Sequence, residues 1–433
     1  MKKLLALFMI ASAPLAFAQG ITVNYGVGFA DPTVTTSPIT SLPSTLGADR
    51  VACYEAAVLV WEAVLDISVE IEVDAAFSSQ GGTTGSGTPL GFAGPETAHF
   101  DFTGAPIASM YYVQAQANQL RGLDLSPANS DLAADFNADV DDPVLVPGFS
   151  WYYGIDGAPP GGTIDFFSTI LHELGHGLGF LSLVNESTGA KFNGRNDIYS
   201  AQLQWGGSGG DAAFNSLTNG GRVSAVTSVN ELEWIGATAI ADVTFNPGGN
   251  PVLMYAPASI NSGSTLSHWD TSNSPNLLME PFATDAFTDV TLETAAFIDM
   301  AWPILNVPTV DSQSGGGITL AGNNAALSVT LSGLSGGETF SWEKGGVPVS
   351  NGATGSGATI SGATTTAMTI TNAQSADTGT YTFVSTDGGD SFTLATFPVI
   401  VIDAVPTATW FSLGLAGVML IMGGMVTLRR VRA

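Results

Sequence analysis

The chain has 433 residues, with 38 acidic and 11 basic side chains, a formal net charge of −27, four histidines and one cysteine. So acidic a balance opposes nucleic-acid binding, which depends on neutralising phosphates with Lys and Arg, and it suits a protein kept soluble in a salty medium. Charged residues make up only 11% of the chain, below the usual quarter or so, and the lone Cys53 excludes an internal disulfide.

The N-terminus reads Met1-Lys2-Lys3, an apolar run from Leu4, then Ala16-Phe17-Ala18. A basic start, a short hydrophobic core and an A-x-A end predict a signal peptide over 1–18, cleaved before Gln19. An uncleaved anchor is the rival reading, weakened by the shortness of the run. The body is therefore expected to be exported. Five of the basic residues lie in this segment and in the C-terminal tail, which leaves six in the body.

Gly20 to Phe29 alternates as a first strand. From Asp49 to Leu65, apolar residues at Val51, Ala52, Tyr54, Val58, Trp61 and Leu65 keep a helical rhythm. Cys53 falls on that helix. It reads as a buried structural thiol, with a latency cysteine that caps a metal as the alternative. Val69 to Ala75 alternates strictly and predicts a strand with one buried face; Ala133 to Ala138 is a shorter candidate. Asp124, Asp131, Asp135, Asp139, Asp141 and Asp142 crowd one segment. Hard cations need several oxygen ligands, so a calcium site and a solvated acidic surface are both open, although the spacing fits no calcium-loop pattern.

Thr163 is the expected N-cap of the next helix, with Asp165 in its first turn. That helix carries His172-Glu173-Leu-Gly-His176-Gly-Leu-Gly179. Residues i and i+4 share a helix face, so two imidazoles converge on one metal ion with Glu173 beside them as a general base. This is the HExxH arrangement of zinc hydrolases. Gly177 or Gly179 should end the helix. Catalytic zinc keeps three protein ligands and one open position. The compact spacing for a third histidine falls on Ser182, so that ligand must come from elsewhere. His99, His268, Asp270, Glu186, Glu231 and Glu233 are the candidates. His99 also reads as a structural or surface histidine.

Leu266-Ser267-His268-Trp269-Asp270 is followed by Asn276-Leu277-Leu278-Met279-Glu280-Pro281. With the HExxHxxG helix, this resembles the leishmanolysin-like metzincins, in which an insertion separates the helix from the third histidine and its Met-turn. Gly28-Phe-Ala-Asp-Pro-Thr33 and Trp151-Tyr-Tyr-Gly-Ile-Asp156-Gly157 resemble segments of related secreted bacterial metallopeptidases. The resemblance covers about residues 20 to 302. It implies His172, His176 and His268 as zinc ligands, Glu173 as catalytic base, and Met279 as an apolar floor beneath the imidazoles. The insertion spans 181–267 and is expected to shape a cleft for a protein or peptide substrate. A helix over Val290 to Trp302 would close a metzincin-like α+β lobe over 19–302.

Residues 303–317 read as a Pro/Gly/Ser linker. Over 318–403, alternating Leu327, Val329 and Leu331, then Trp342, then Asp377-Thr-Gly379-Thr-Tyr381-Thr-Phe383 resemble an immunoglobulin-like sandwich. Asp377 and Tyr381 would form its tyrosine corner, with Val329 and Phe383 where cysteines usually sit. A spacer and a module for a cell-surface ligand are its two readings. In the tail, 404–433, Trp410 to Leu428 holds no charge and precedes Arg429, Arg430 and Arg432. That predicts a transmembrane helix with a cytoplasmic basic end. With Val405-Pro406 it resembles the C-terminal sorting tails of bacterial envelope proteins. The expectation is an exported, envelope-attached zinc endopeptidase. The rival is an inactive surface adhesion protein built on the same lobe.

Overall fold

The computed structural model describes residues 20–403 apart from 83–86, 207–209, 243–247, 306, 335 and 388–389. The segment read as a signal peptide and the tail with its expected span at 410–428 lie outside the described residues. Among those described, no helix is long and apolar enough to cross a membrane. The chain divides into two compact units between Leu305 and Asn306.

The first unit is a mixed α/β lobe. Strands β1 (Ile21–Tyr25), β2 (Ile71–Ser78), β3 (Gly91–Pro95) and β4 (Leu132–Asn137) form a sheet of order β1-β2-β4-β3. β1, β2 and β4 run parallel, with Ile21 opposite Ile71 and Val73 opposite Leu132, whereas β3 returns antiparallel to β4 as an outer strand. Strict alternation puts Ile71, Val73, Ala75 and Phe77 in the core and Glu72 and Asp74 outside, the pattern of a sheet covered on one face. The expected α+β character holds in that sense.

Helix α1 (Leu46–Glu62) starts a turn earlier than its apolar rhythm suggested, because the Thr45 hydroxyl caps it by accepting from the Ala48 N–H. Its buried face is Cys53, Tyr54, Ala57, Val58 and Trp61. A second helix, α2, spans Gln114–Arg121 and ends on Gly122 in the left-handed region. Trp61 donates to the Leu171 carbonyl of helix α3 (Phe166–Leu178) at 3.2 Å and stacks on Phe297 of α4 (Thr291–Asp299). The α1 indole thus bridges the two later helices.

The insertion after α3 folds into short helices at Asn219–Ala225 and Ala237–Ala241 and a small sheet built on Leu203–Trp205 and Leu232–Trp234. Its inner side is aromatic. Phe180, Tyr199, Trp234 and Trp269 are all fully or nearly fully buried, with ring centroids 4.7–6.0 Å apart.

The stretch read as a linker is shorter than expected. Pro303 and Leu305 still bond to the first unit, through Asp66 N–H to Pro303 and Leu305 N–H to Val64. Thr309–Gly315 is a strand of the second unit, paired antiparallel with Ala325–Ser332. Its Ser- and Gly-rich sequence has no large apolar alternation, so backbone pairing rather than side-chain burial defines it.

The second unit is a sandwich of two five-stranded sheets. Trp342 is fully buried between Phe383 and Phe397, at 5.0 and 5.2 Å. The Tyr381 hydroxyl donates to the Asp377 carbonyl at 2.9 Å, closing the expected corner. Val329 and Phe383 are buried on strands of opposite sheets, so packing takes the place of a disulfide.

Candidate metal centre

Helix α3 begins later than the sequence suggested. Thr163–Asp165 pairs in parallel with Ser150–Tyr152, so Thr163 lies in a strand, and Asp165 is the N-cap, accepting from Ser168 N–H at 2.7 Å. The helix ends as expected at Gly179, whose φ of 122° favours glycine, with Phe180 N–H returning to the Gly175 carbonyl at 2.9 Å.

One helical turn sets His172 and His176 side by side, and His268 arrives from the end of the insertion. Their Nε2 atoms form a triangle with sides of 3.1, 3.1 and 3.2 Å. The far nitrogen of each ring meets a carbonyl: His172 Nδ1 donates to Leu278 at 2.8 Å, His176 Nδ1 to Phe180 at 2.8 Å, and His268 Nδ1 to Ser264 at 2.7 Å. A carbonyl oxygen only accepts, so each ring carries its proton on Nδ1 and turns a bare Nε2 lone pair inward. Desolvation by burial keeps the rings neutral, with His172 held down to about 4 and His176 to about 3, the latter also by its neighbour His172. His268 is likewise pushed well below its ordinary value by burial and by both partner rings.

Three unprotonated lone pairs in contact cannot bond to one another; they suit a shared cation. Tetrahedral zinc with bonds of about 2.0–2.1 Å has ligand nitrogens about 3.3–3.4 Å apart, close to the triangle here. The donor set therefore fits such an ion. Among the described residues, these three histidines are the group of three or more ligating side chains near enough together to hold a metal.

The Glu173 carboxyl lies beside β3. It is buried, and its Oε2 has no hydrogen-bond partner. Burial pushes its carboxyl up to about 8, opposed by a hydrogen bond from the Ala93 backbone. A Cβ added at Gly91 would lie 3.3 Å from Glu173 Oε1, so β3 runs directly beside this carboxyl. Met279 is fully buried beneath α3. Its Sδ lies 2.9 Å from the position of a Cβ added at Gly175, between the two helical histidines.

The other candidates lie elsewhere. Glu186 accepts from Gly263 N–H at 3.4 Å, Glu231 from the Trp205 indole at 3.2 Å, and Asp270 from Ser272; Glu233 sits in strand Leu232–Trp234. His99 is half-buried against the Thr97 hydroxyl. The Cys53 thiol is buried at the Gly154 carbonyl, at 3.8 Å, and burial keeps it protonated. The crowded aspartates are spent on local hydrogen bonds rather than on a calcium cage: Asp131 accepts from Glu72 N–H, Asp135 from Ser78, Asp139 from Ser79 and Gly81, and Asp141 from Tyr153 and Arg50.

Ser182, at the compact third-ligand position, has another task. Its N–H donates to Ser267 Oγ at 3.1 Å and its hydroxyl bonds Ser200 at 2.7 Å, which clips the residue before His268 to the exit of α3. Leu266, two residues before His268, holds a left-handed φ of 77°, fixed by bonds to Tyr255 and Tyr199. Sequence reasoning missed the carbonyls of Leu278, Phe180 and Ser264, which no side-chain pattern reports. It also missed Glu293, whose signal was a lone carboxylate on the apolar face of α4.

No family model and no curated protein matches the chain. Among solved structures it is similar to the titin domains Z1Z2 in complex with telethonin, at 25% identity over 22% of this chain and 48% of that one, with a TM-score of 0.19. It is also similar to the tandem Ig repeats of Dlar (14%, covering 23% and 50%, TM-score 0.20) and to the titin M3 domain (23%, covering 22% and 95%, TM-score 0.18). The chain spans about half the length of the first two. Scores this low carry no assignment, and the two-sheet description of the second unit rests on its own strand pairing.

Proposed function

We propose that the first unit is a zinc-dependent endopeptidase of the metzincin type. The observation that carries this reading is the triangle of bare Nε2 lone pairs with the unpartnered Oε2 of Glu173, one residue from His172. His172, His176 and His268 would hold a zinc ion, which when bound would supply Lewis acidity to polarise a carbonyl and lower the pKa of a water to about 7. Ionised beside such a charge, Glu173 would take the proton of the attacking water on Oε2 and hand it to the departing amine. Met279 keeps the underside of the rings apolar and dry.

The substrate class follows from β3. It is the outer strand of its sheet, with one row of backbone N–H and C=O groups unpaired within that sheet, and it passes beside Glu173. An extended peptide pairs with such an edge through main-chain bonds. That favours internal cleavage of polypeptides over hydrolysis of small esters. The acidic body, the N-terminal leader pattern and the apolar tail support export and attachment to a bacterial envelope, with the second unit as a spacer or as a module for a cell-surface ligand. Incubation of the zinc-loaded protein with an unstructured protein substrate tests the reading. Internal cleavage that is lost in Glu173→Ala supports it. Cleavage that persists in Glu173→Ala assigns the activity to something else, and a metal-loaded wild type without cleavage returns the chain to the adhesion reading.

A further inference from the structure

We infer that Glu293 is a positioning residue of the metal centre, fixing the segment that carries His268 against the one that carries Met279. The residue is 3% exposed, on the inner face of α4. A buried carboxylate is costly unless it is well hydrogen-bonded, and among the described residues no Lys or Arg pairs with it. Besides its own backbone N–H, its hydrogen bonds go to two places. The Trp269 indole Nε1 donates to Oε1 at 3.0 Å, and the Met279 backbone also bonds the carboxylate. Trp269 directly follows His268. Met279 directly follows Leu278, whose carbonyl holds the His172 ring.

The two segments are already joined by Trp269 N–H donating to the Met279 carbonyl at 2.8 Å. One such bond still allows the strands to pivot about it. The Glu293 carboxylate adds a second tie between them and anchors both to α4. The placement of His268 against the helical pair is thereby linked to this side chain. Asp299, on the same helix, offers a contrast. It accepts from the Trp234 indole and from the Thr238 and Ala239 N–H groups, and these hydrogen bonds anchor the insertion rather than either segment.

The inference rests on the metal reading above, and its test separates the two. Full-length wild type, Glu293→Gln, Glu293→Leu and Asp299→Asn are loaded with cobalt(II), and chelator competition and the visible spectrum are recorded with thermal melting. Glutamine keeps one acceptor but turns an NH2 group toward the other donor. Loss of such an outer partner weakens metal binding about 10–100-fold. We expect at least about tenfold weaker binding and an altered cobalt spectrum in Glu293→Gln, more in Glu293→Leu, and a lower melting temperature with an unchanged spectrum in Asp299→Asn. Where Glu293→Leu does not fold, the glutamine variant decides. Binding within twofold of wild type with the same spectrum in Glu293→Gln overturns the inference, as does an equal spectral change in Asp299→Asn. A wild type that takes up no cobalt refutes the metal reading itself.

Discussion

At the scale of single residues, the site depends on which nitrogen of each ring carries the proton. Three carbonyls fix that choice, and only with it can the inner nitrogens share a cation. Removing one ring leaves two ligands, so His268→Ala is expected to lose stoichiometric metal while staying folded, as read by metal analysis and circular dichroism. Full occupancy in that variant would move the third ligand elsewhere. The depressed proton affinities give a second expectation. Protons compete with metal only when they bind the free imidazoles, and His172 and His176 are held down to about 4 and 3 rather than near 6.5. In Glu173→Gln, which removes the carboxyl's own proton from the balance, metal affinity should change little between pH 7 and 5 and fall only below that. A steep loss starting near pH 6.5 would mean that the rings titrate as exposed ones do. The HExxH pair and Glu173 were readable from spacing because a helix turns a four-residue interval into a shared face. The carbonyl partners were not, since every residue has one.

Among the elements, α3 is packed so closely that its glycines are sites of contact. A methyl at Gly175 would meet Met279 Sδ at 2.9 Å and Trp61 at 3.5 Å, and one at Gly177 would meet Leu132 at 2.7 Å. Overpacking of this kind costs about 1–3 kcal/mol. Gly175→Ala and Gly177→Ala should each lose that much in urea denaturation, whereas Gly161→Ala, with open space around it, should stay within about 0.5 kcal/mol of wild type. A neutral Gly175→Ala would show that Met279 does not press on the helix. α1 and β2 were legible because their apolar residues keep one period. The N-cap of α3 lies two residues beyond the expected Thr163, because Thr163 and Asp165 are both good caps and only the pairing with Ser150–Tyr152 selects between them. Thr309–Gly315 was read as linker because a strand of small polar residues looks like one.

For the whole molecule, two separate hydrophobic cores, one around Trp61 and one around Trp342, lead to two unfolding steps. A ligand bound only by the folded first unit stabilises that unit alone, by about 2.7 kcal/mol at a hundredfold excess over Kd. Calorimetry with and without chelator should therefore move one transition and leave the other in place. A joint shift would mean that the units unfold as one.

The central claim, that this lobe uses a metal and Glu173 to hydrolyse peptide bonds, is tested most directly by one comparison. Zinc-loaded wild type and Glu173→Gln are assayed side by side on the same peptide substrate, with the metal content of each measured. One zinc per chain is expected in both, with a rate at least about 100-fold lower in the variant, the contribution of a general base. Equal rates at equal zinc content would contradict it.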